Sequence, residues 1–212
     1  DSGATYAHPW RAFTPLAVAI FLTTLDLTVI NVALPAIARD FPGESVSSLS
    51  WLLTGYAITF AAVLVPVGKL GDLYGRKRLF VVGMMVFVAG SVIAVFAGSL
   101  SLLIAARVVQ AIGAAAMTPN SLGLALTLFP PQRRASVIAA WGAIAGLGAA
   151  AGPLCGALLA EAEWRWIFAI NVPLVLVTME KSPEASSLVA GLRMAAAYIG
   201  ALGAVWRGRR PR

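Results

Sequence analysis

The chain has 212 residues, 59% of them hydrophobic and only 12% charged, with a mean hydropathy of +0.85. A soluble domain carries about 25% charged residues and needs them to cover its surface, so an ordinary water-soluble fold is excluded and a bilayer is the solvent that tolerates this composition. The formal net charge of +7 lies in short clusters between apolar runs, a topological pattern and not a phosphate-binding face, so nucleic acid is not an expected partner.

About 20 apolar residues are needed to cross the hydrocarbon as a helix. In chain order the apolar runs predict spans at 13–35, 49–67, 79–98, 102–126, 135–160 and 164–178, the last of them short. Brief connections make each span antiparallel to the next. The first run is too long for a signal-peptide core, and Pro35 and a second span follow it in place of a small-residue cleavage pattern. The chain begins at Asp1 and not at Met, as expected of a fragment or a processed protein. The expected organisation is an N-terminal segment (1–12), a six-span bundle (13–180) and a divergent basic tail (181–212), interfacial or disordered.

Basic residues set the expected orientation. With the N-terminus inside, the internal segments hold Arg11, Lys69, Arg76, Lys77, Arg78, Arg133, Arg134 and Lys181, whereas the external ones hold only Arg39 and Arg165. That asymmetry predicts a cytoplasmic N-terminus. The stretch 187–206 is apolar enough to resemble a seventh span. Crossing there would carry Arg207, Arg209, Arg210 and Arg212 outside against the same rule, so it is not expected to insert.

Ionisable groups within a span are costly and usually face a cavity or a partner. The six spans hold two, Asp26 and Arg107. Asp26 lies nine residues before Pro35, about 13 Å deep, and Arg107 lies about 8 Å below the same membrane face. They are placed to meet directly or through Gln110, one turn from Arg107, and to line a crevice. Two readings follow: a proton or cation site, or a static ion pair holding spans 1 and 4 together. In the segment 68–78, Gly71 and Gly75 permit a sharp reversal between spans 2 and 3, and Asp72 is placed to accept from Arg76. In span 5, Gly148, Gly152 and Gly156 stack on one helical face, which allows close approach of another helix, and Pro153 removes a hydrogen bond and kinks the span. Trp164 and Trp166 suit interfacial anchors.

The segment 68–78 is also similar to the signature of the major facilitator superfamily, Gly-x-x-x-Asp-x-x-Gly-Arg-Lys-Arg, carried here by Gly68, Asp72, Gly75, Arg76, Lys77 and Arg78. The resemblance implies a cytoplasmic gating loop. Residues 25–35, with Asp26 and Asn31, resemble the first-span motif of the fourteen-span drug:proton antiporter branch, whose aspartate is associated with proton coupling. Residues 107–115 resemble the fourth-span motif, whose arginine is linked to proton movement; Ala111 stands where a glycine is usual. Residues 148–157, with Gly148, Gly152, Pro153 and Gly156, are similar to the antiporter motif of exporters, with Ala157 replacing its final glycine. Residues 164–173 resemble the sixth-span motif of the same branch. The similarity covers about 12–178.

The resemblance implies an all-α membrane protein: a six-transmembrane-helix bundle forming the amino-terminal half of a major facilitator fold, built as two inverted three-helix repeats. It implies proton-coupled antiport that exports amphipathic, cationic compounds, with Asp26, Arg107, Gln110 and Asn31 as the coupling set and no cofactor beyond the proton gradient. The expected partners are the lipid bilayer, small amphipathic substrates and protons, together with a missing C-terminal half or self-association through the span 5 glycines. The expected location is the cell membrane. This half alone is expected not to transport. The rivals are a metabolite or sugar carrier of the same superfamily, or a non-transporting truncated or regulatory membrane protein. An enzyme is not expected. Cys155 and His8 are the only residues of their kinds, and no nucleophile–base pair or phosphate-binding glycine motif is visible.

Overall fold

The structure is a computed structural model that describes residues 9–179, so the tail at 181–212 and His8 lie outside the described residues. Among the described residues the chain is helical throughout and has no strand. α1 (Pro9–Asp40), α2 (Val46–Tyr74), α3 (Arg76–Val95), α4 (Leu100–Leu128) and α5 (Arg134–Ala162) are joined by short connections, with one 3-10 turn at Pro131–Arg133 before α5. These five helices are long and apolar enough to cross a membrane. Most run past the apolar stretch that announces them, and serine caps open two of them. Ser45 Oγ accepts from Ser48 N at 3.0 Å to open α2, and Ser99 Oγ accepts from Leu102 N at 3.3 Å to open α4.

The expected sixth span is not one continuous helix. It divides into α6 (Trp166–Ala169) and α7 (Asn171–Met179). Pro173 explains the break: it has no N–H to give the Ala169 carbonyl four residues back, and its ring crowds that carbonyl, whereas a proline is tolerated in the first turn of α7.

Without a hydrophobic drive between helices in lipid, close packing has to hold the bundle together. α4 packs on α3, α2 and α1, and α1 packs on α5, α4 and α7. Exchanging the first three helices for the last three maps the α1–α5 contact onto α4–α2 and leaves the α1–α4 crossing in place. This is the pairing that inverted repeats require. α1 and α4 therefore form the centre, and α2 and α5 turn large apolar side chains outward, among them Ile58, Val65, Leu147 and Leu154.

The apolar core is in two parts. One gathers around Phe13, Phe87, Met117 and Phe129, the other around Ile30, Ile37, Leu103 and Phe168. Along α1 the division falls between Leu22 and Leu25, and along α4 between Ala106 and Ala111. Asp26, Arg107 and Gln110 sit at that seam.

Candidate functional site: a buried ion pair between two cores

Arg107 leaves α4 at the seam and meets Asp26 of α1. Its Nη1 donates to Asp26 Oδ2 at 2.5 Å and to Gln110 Oε1 at 3.0 Å. Gln110 Nε2 donates to Ser91 Oγ of α3 at 2.8 Å, and Ser91 Oγ donates to the Phe87 carbonyl at 3.0 Å. From α7, Asn171 Nδ2 reaches Asp26 Oδ1 at 3.4 Å and Ser91 Oγ at 3.2 Å. The guanidinium carbon lies 4.2 Å from the centre of the Tyr56 ring and 5.9 Å from that of Phe168, so aromatic faces stabilise the cation where water is excluded.

Both expected coupling charges thus meet directly, with Gln110 beside them. They do not line a crevice. Arg107, Gln110, Ser91 and Asn171 are each 0% exposed and Asp26 is 1% exposed, because four helices and two aromatic rings close over them. Burying either charge alone would cost several kcal/mol, and the pairing offsets part of that. Among the described residues, three buried side-chain atoms of the network have no hydrogen-bond partner: Arg107 Nε, Arg107 Nη2 and Asn171 Oδ1.

Asn31 does not join this network. Five residues beyond Asp26, it is turned about 140° around the helix. It is exposed, with its amide 3.4 Å from the Thr28 carbonyl.

The segment 68–78 differs in form from the gating loop that was expected. α2 continues through Gly68 and Gly71 to Tyr74, and the reversal falls at Gly75 alone, at φ 98°, a region that strongly favours glycine. Gly71 is not a turn residue: a Cβ there would collide with Asn120 Oδ1 of α4, so the glycine serves helix contact. Gly68 is less tightly placed: a Cβ there would lie 3.7 Å from Pro119, an ordinary contact. Asp72 does accept from Arg76, at 2.7 Å across the reversal. The three bases Arg76, Lys77 and Arg78 open α3, the helix end that disfavours positive charge, and Asp72 compensates locally. Arg76 also rests on Gly123 of α4, where a Cβ would take the place of its guanidinium.

The span 5 glycines are covered. A Cβ at Gly148 would meet Thr24 Oγ1 and the Phe21 carbonyl, one at Gly152 would meet Thr28 Oγ1, and one at Gly156 would lie 2.8 Å from the Val29 carbonyl. All these neighbours belong to α1. The face expected to meet lipid or a second copy is therefore used inside the bundle. Pro153 points outward, and α5 continues through it.

A family profile of the Major Facilitator Superfamily matches residues 16–180. The chain belongs to that superfamily. It is 42% identical over 174 residues to the probable actinorhodin transporter of Streptomyces coelicolor, a match covering 80% of this chain and 30% of that protein. To the drug efflux pump JefA of Mycobacterium tuberculosis it is 42% identical over 171 residues, covering 78% and 33%. To the riboflavin transporter RibZ of Clostridioides difficile it is 33% identical over 171 residues, covering 80% and 37%. The chain spans about a third of the length of these curated relatives. The crystal structure of a bacterial homologue of the human lysosomal transporter Spinster shares its fold, with a TM-score of 0.65 at 20% identity, covering 91% of this chain and 44% of that one.

For this member of the superfamily, sequence reasoning missed four residues around the ion pair: Tyr56, Ser91, Phe168 and Asn171. A serine in mid-span was a readable signal for Ser91, since polar groups inside spans seek partners. Asn171 lay inside a motif already singled out but was given no role. Trp164, expected as an interfacial anchor, packs against the C-terminal end of α1. It is 2% exposed and donates from Nε1 to Asp40 Oδ2 at 2.8 Å. Arg165 donates to the same oxygen at 2.9 Å, to Glu163 at 2.9 Å and to the Ala97 carbonyl at 3.4 Å.

Proposed function

We propose that this chain is the six-helix unit of a proton-coupled exporter of amphipathic, cationic compounds, working opposite a second six-helix unit in the cell membrane with its N-terminus in the cytoplasm. The observation that carries the reading is the Asp26–Arg107 pair, fully buried at the seam between two apolar cores and crossing the two central helices. On this reading a proton taken up by Asp26 replaces its tie to Arg107. Neutralisation weakens the one strong tie between α1 and α4, and that change links proton uptake to the arrangement of the bundle. Similarity to an actinorhodin transporter and a drug efflux pump supports export as the direction. On the opposite side of the bundle from Asp40, Asp72 and Arg76 at the Gly75 reversal act as the cytoplasmic gate. No cofactor is needed, because the proton gradient supplies the driving force.

The test is uptake of a lipophilic cationic dye by inverted membrane vesicles containing this chain paired with a second six-helix unit. Asp26→Asn is expected to abolish proton-driven accumulation while the protein still inserts to the normal level. Undiminished accumulation by the variant rejects the coupling role of Asp26. A second reading, a metabolite carrier of the same superfamily, is favoured by the similarity to a riboflavin transporter. It predicts that riboflavin, and not the dye, is moved by the same vesicles.

A further inference from the structure

Asn171 stands out among the buried polar groups. Its amide nitrogen has two hydrogens and uses both, one toward Asp26 Oδ1 at 3.4 Å and one toward Ser91 Oγ at 3.2 Å. Its carbonyl oxygen, Oδ1, is fully buried and has no partner. An unsatisfied buried acceptor costs about 1–3 kcal/mol, so a position that keeps one invites an explanation. The Asn171 amide carries a donor and an acceptor on one rotating group, as Gln110 and Ser91 also do, but only its acceptor is without a partner among the described residues of the network.

We propose that Asn171 is a positioning residue that follows the charge of Asp26. While Asp26 is a carboxylate, Asn171 donates to it. When Asp26 takes a proton, its new O–H needs an acceptor, and a half-turn of the Asn171 amide supplies the idle Oδ1. The proton is delivered by hydronium: one O–H bond of the hydronium breaks, one O–H bond forms on Asp26, and a water molecule is released. The turn removes the Asn171 donor from Ser91, which keeps its bond from Gln110. Asn171 is the first residue of α7, directly after the break at Ile170, so the amide's two settings act on the point where the sixth span is divided. The charged and titratable groups facing Asp26 are Arg107 from α4 and Tyr56 from α2. α3 and α7 contribute the uncharged Ser91 and Asn171, and α5 brings glycines to α1. Arg107 has only donors and cannot accept from the new O–H, and Gln110 Oε1 already accepts from Arg107, whereas Asn171 Oδ1 accepts from nothing among the described residues.

This inference rests on the reading that Asp26 takes up protons, and infrared difference spectroscopy separates the two. The protein, labelled with carbon-13 and nitrogen-15 in asparagine and reconstituted in lipid nanodiscs, is compared between alkaline and acidic pH. A protonated-carboxyl band lost in Asp26→Asn reports Asp26 itself. The proposal expects a labelled-amide difference band that rises and falls with that carboxyl band, persists in Asn31→Ser and disappears in Asn171→Leu. It also expects the Asp26 carboxyl band to shift in Asn171→Leu, where its O–H has lost an acceptor. A carboxyl band with no accompanying asparagine signal in the wild-type protein overturns the role of Asn171 and leaves the proton site standing. That measurement needs no variant of Asn171, so it decides the matter even where Asn171→Leu does not fold. The absence of any Asp26 carboxyl band overturns the proton site and this inference together.

Discussion

Arg107 shows how much one residue can hold when four helices close over it. Its guanidinium touches a carboxylate, an amide and two aromatic faces, while Nε and Nη2 stay unpaired. Removing it leaves Asp26 buried without its counter-charge. Breaking a buried pair from one side typically costs about 3–5 kcal/mol, whereas replacing both partners with neutral groups is often close to harmless. Arg107→Met is therefore expected to lower stability by about that amount, and the double variant Arg107→Met with Asp26→Asn to recover most of the loss. Denaturant titration of the reconstituted protein measures both. Equal loss in the single and double variants shows that packing around the arginine, and not the stranded charge, dominates. The meeting of Asp26 and Arg107 was legible beforehand, because counting residues from the span ends put them in the same leaflet, about 5 Å apart in height. Asn171 was not, because its angle about the helix depends on a break that Pro173 causes and that hydropathy does not reveal. Asn31 was read from its motif, although helical rotation already turned it away from Asp26.

At the level of helices, spacing identified a contact face on α5 without saying what fills it. Periodicity reports that Gly148, Gly152 and Gly156 share a side; only the fold reveals α1 on that side. The same limit applied to the reversal between α2 and α3. Two glycines in one short segment looked alike in sequence, yet Gly75 supplies the turn and Gly71 supplies room for Asn120. A comparison within α5 tests the assignment. Gly142 and Gly146 have open space where a Cβ would go. Alanine at either is expected to stabilise by up to about 1 kcal/mol through helix propensity. Alanine at Gly148, Gly152 or Gly156 is expected to destabilise by about 1–3 kcal/mol, because α1 has to move aside. Thermal unfolding in nanodiscs orders the five variants, and an indistinguishable set argues that α5 does not seat on α1 in this register.

The whole molecule presents α1 and α4 as its interior and α2 and α5 as its flanks. Flanks bearing Ile58, Val65, Leu147 and Leu154 on their outer sides suit lipid or a matching bundle equally. The central charges are enclosed among the described helices of this one bundle. Vesicles holding only this chain are accordingly expected to show no proton-driven dye uptake, and vesicles that also hold a complementary six-helix unit to show it. Uptake by the single bundle at dilutions that keep it monomeric rejects this view. The bundle itself, its five long helices and its central pair were readable because bilayer thickness and the cost of burying charge leave few alternatives. Its enclosure was not, since closure depends on aromatic side chains arriving from α2 and α6.

The joint formed by Asp40, Trp164 and Arg165 has a mechanical corollary. It fastens the last residue of α1 to the opening of α6 and, through the Ala97 carbonyl, to the chain just past α3. The joint ties the C-terminal end of α1 to its neighbours at that rim and resists its sliding there.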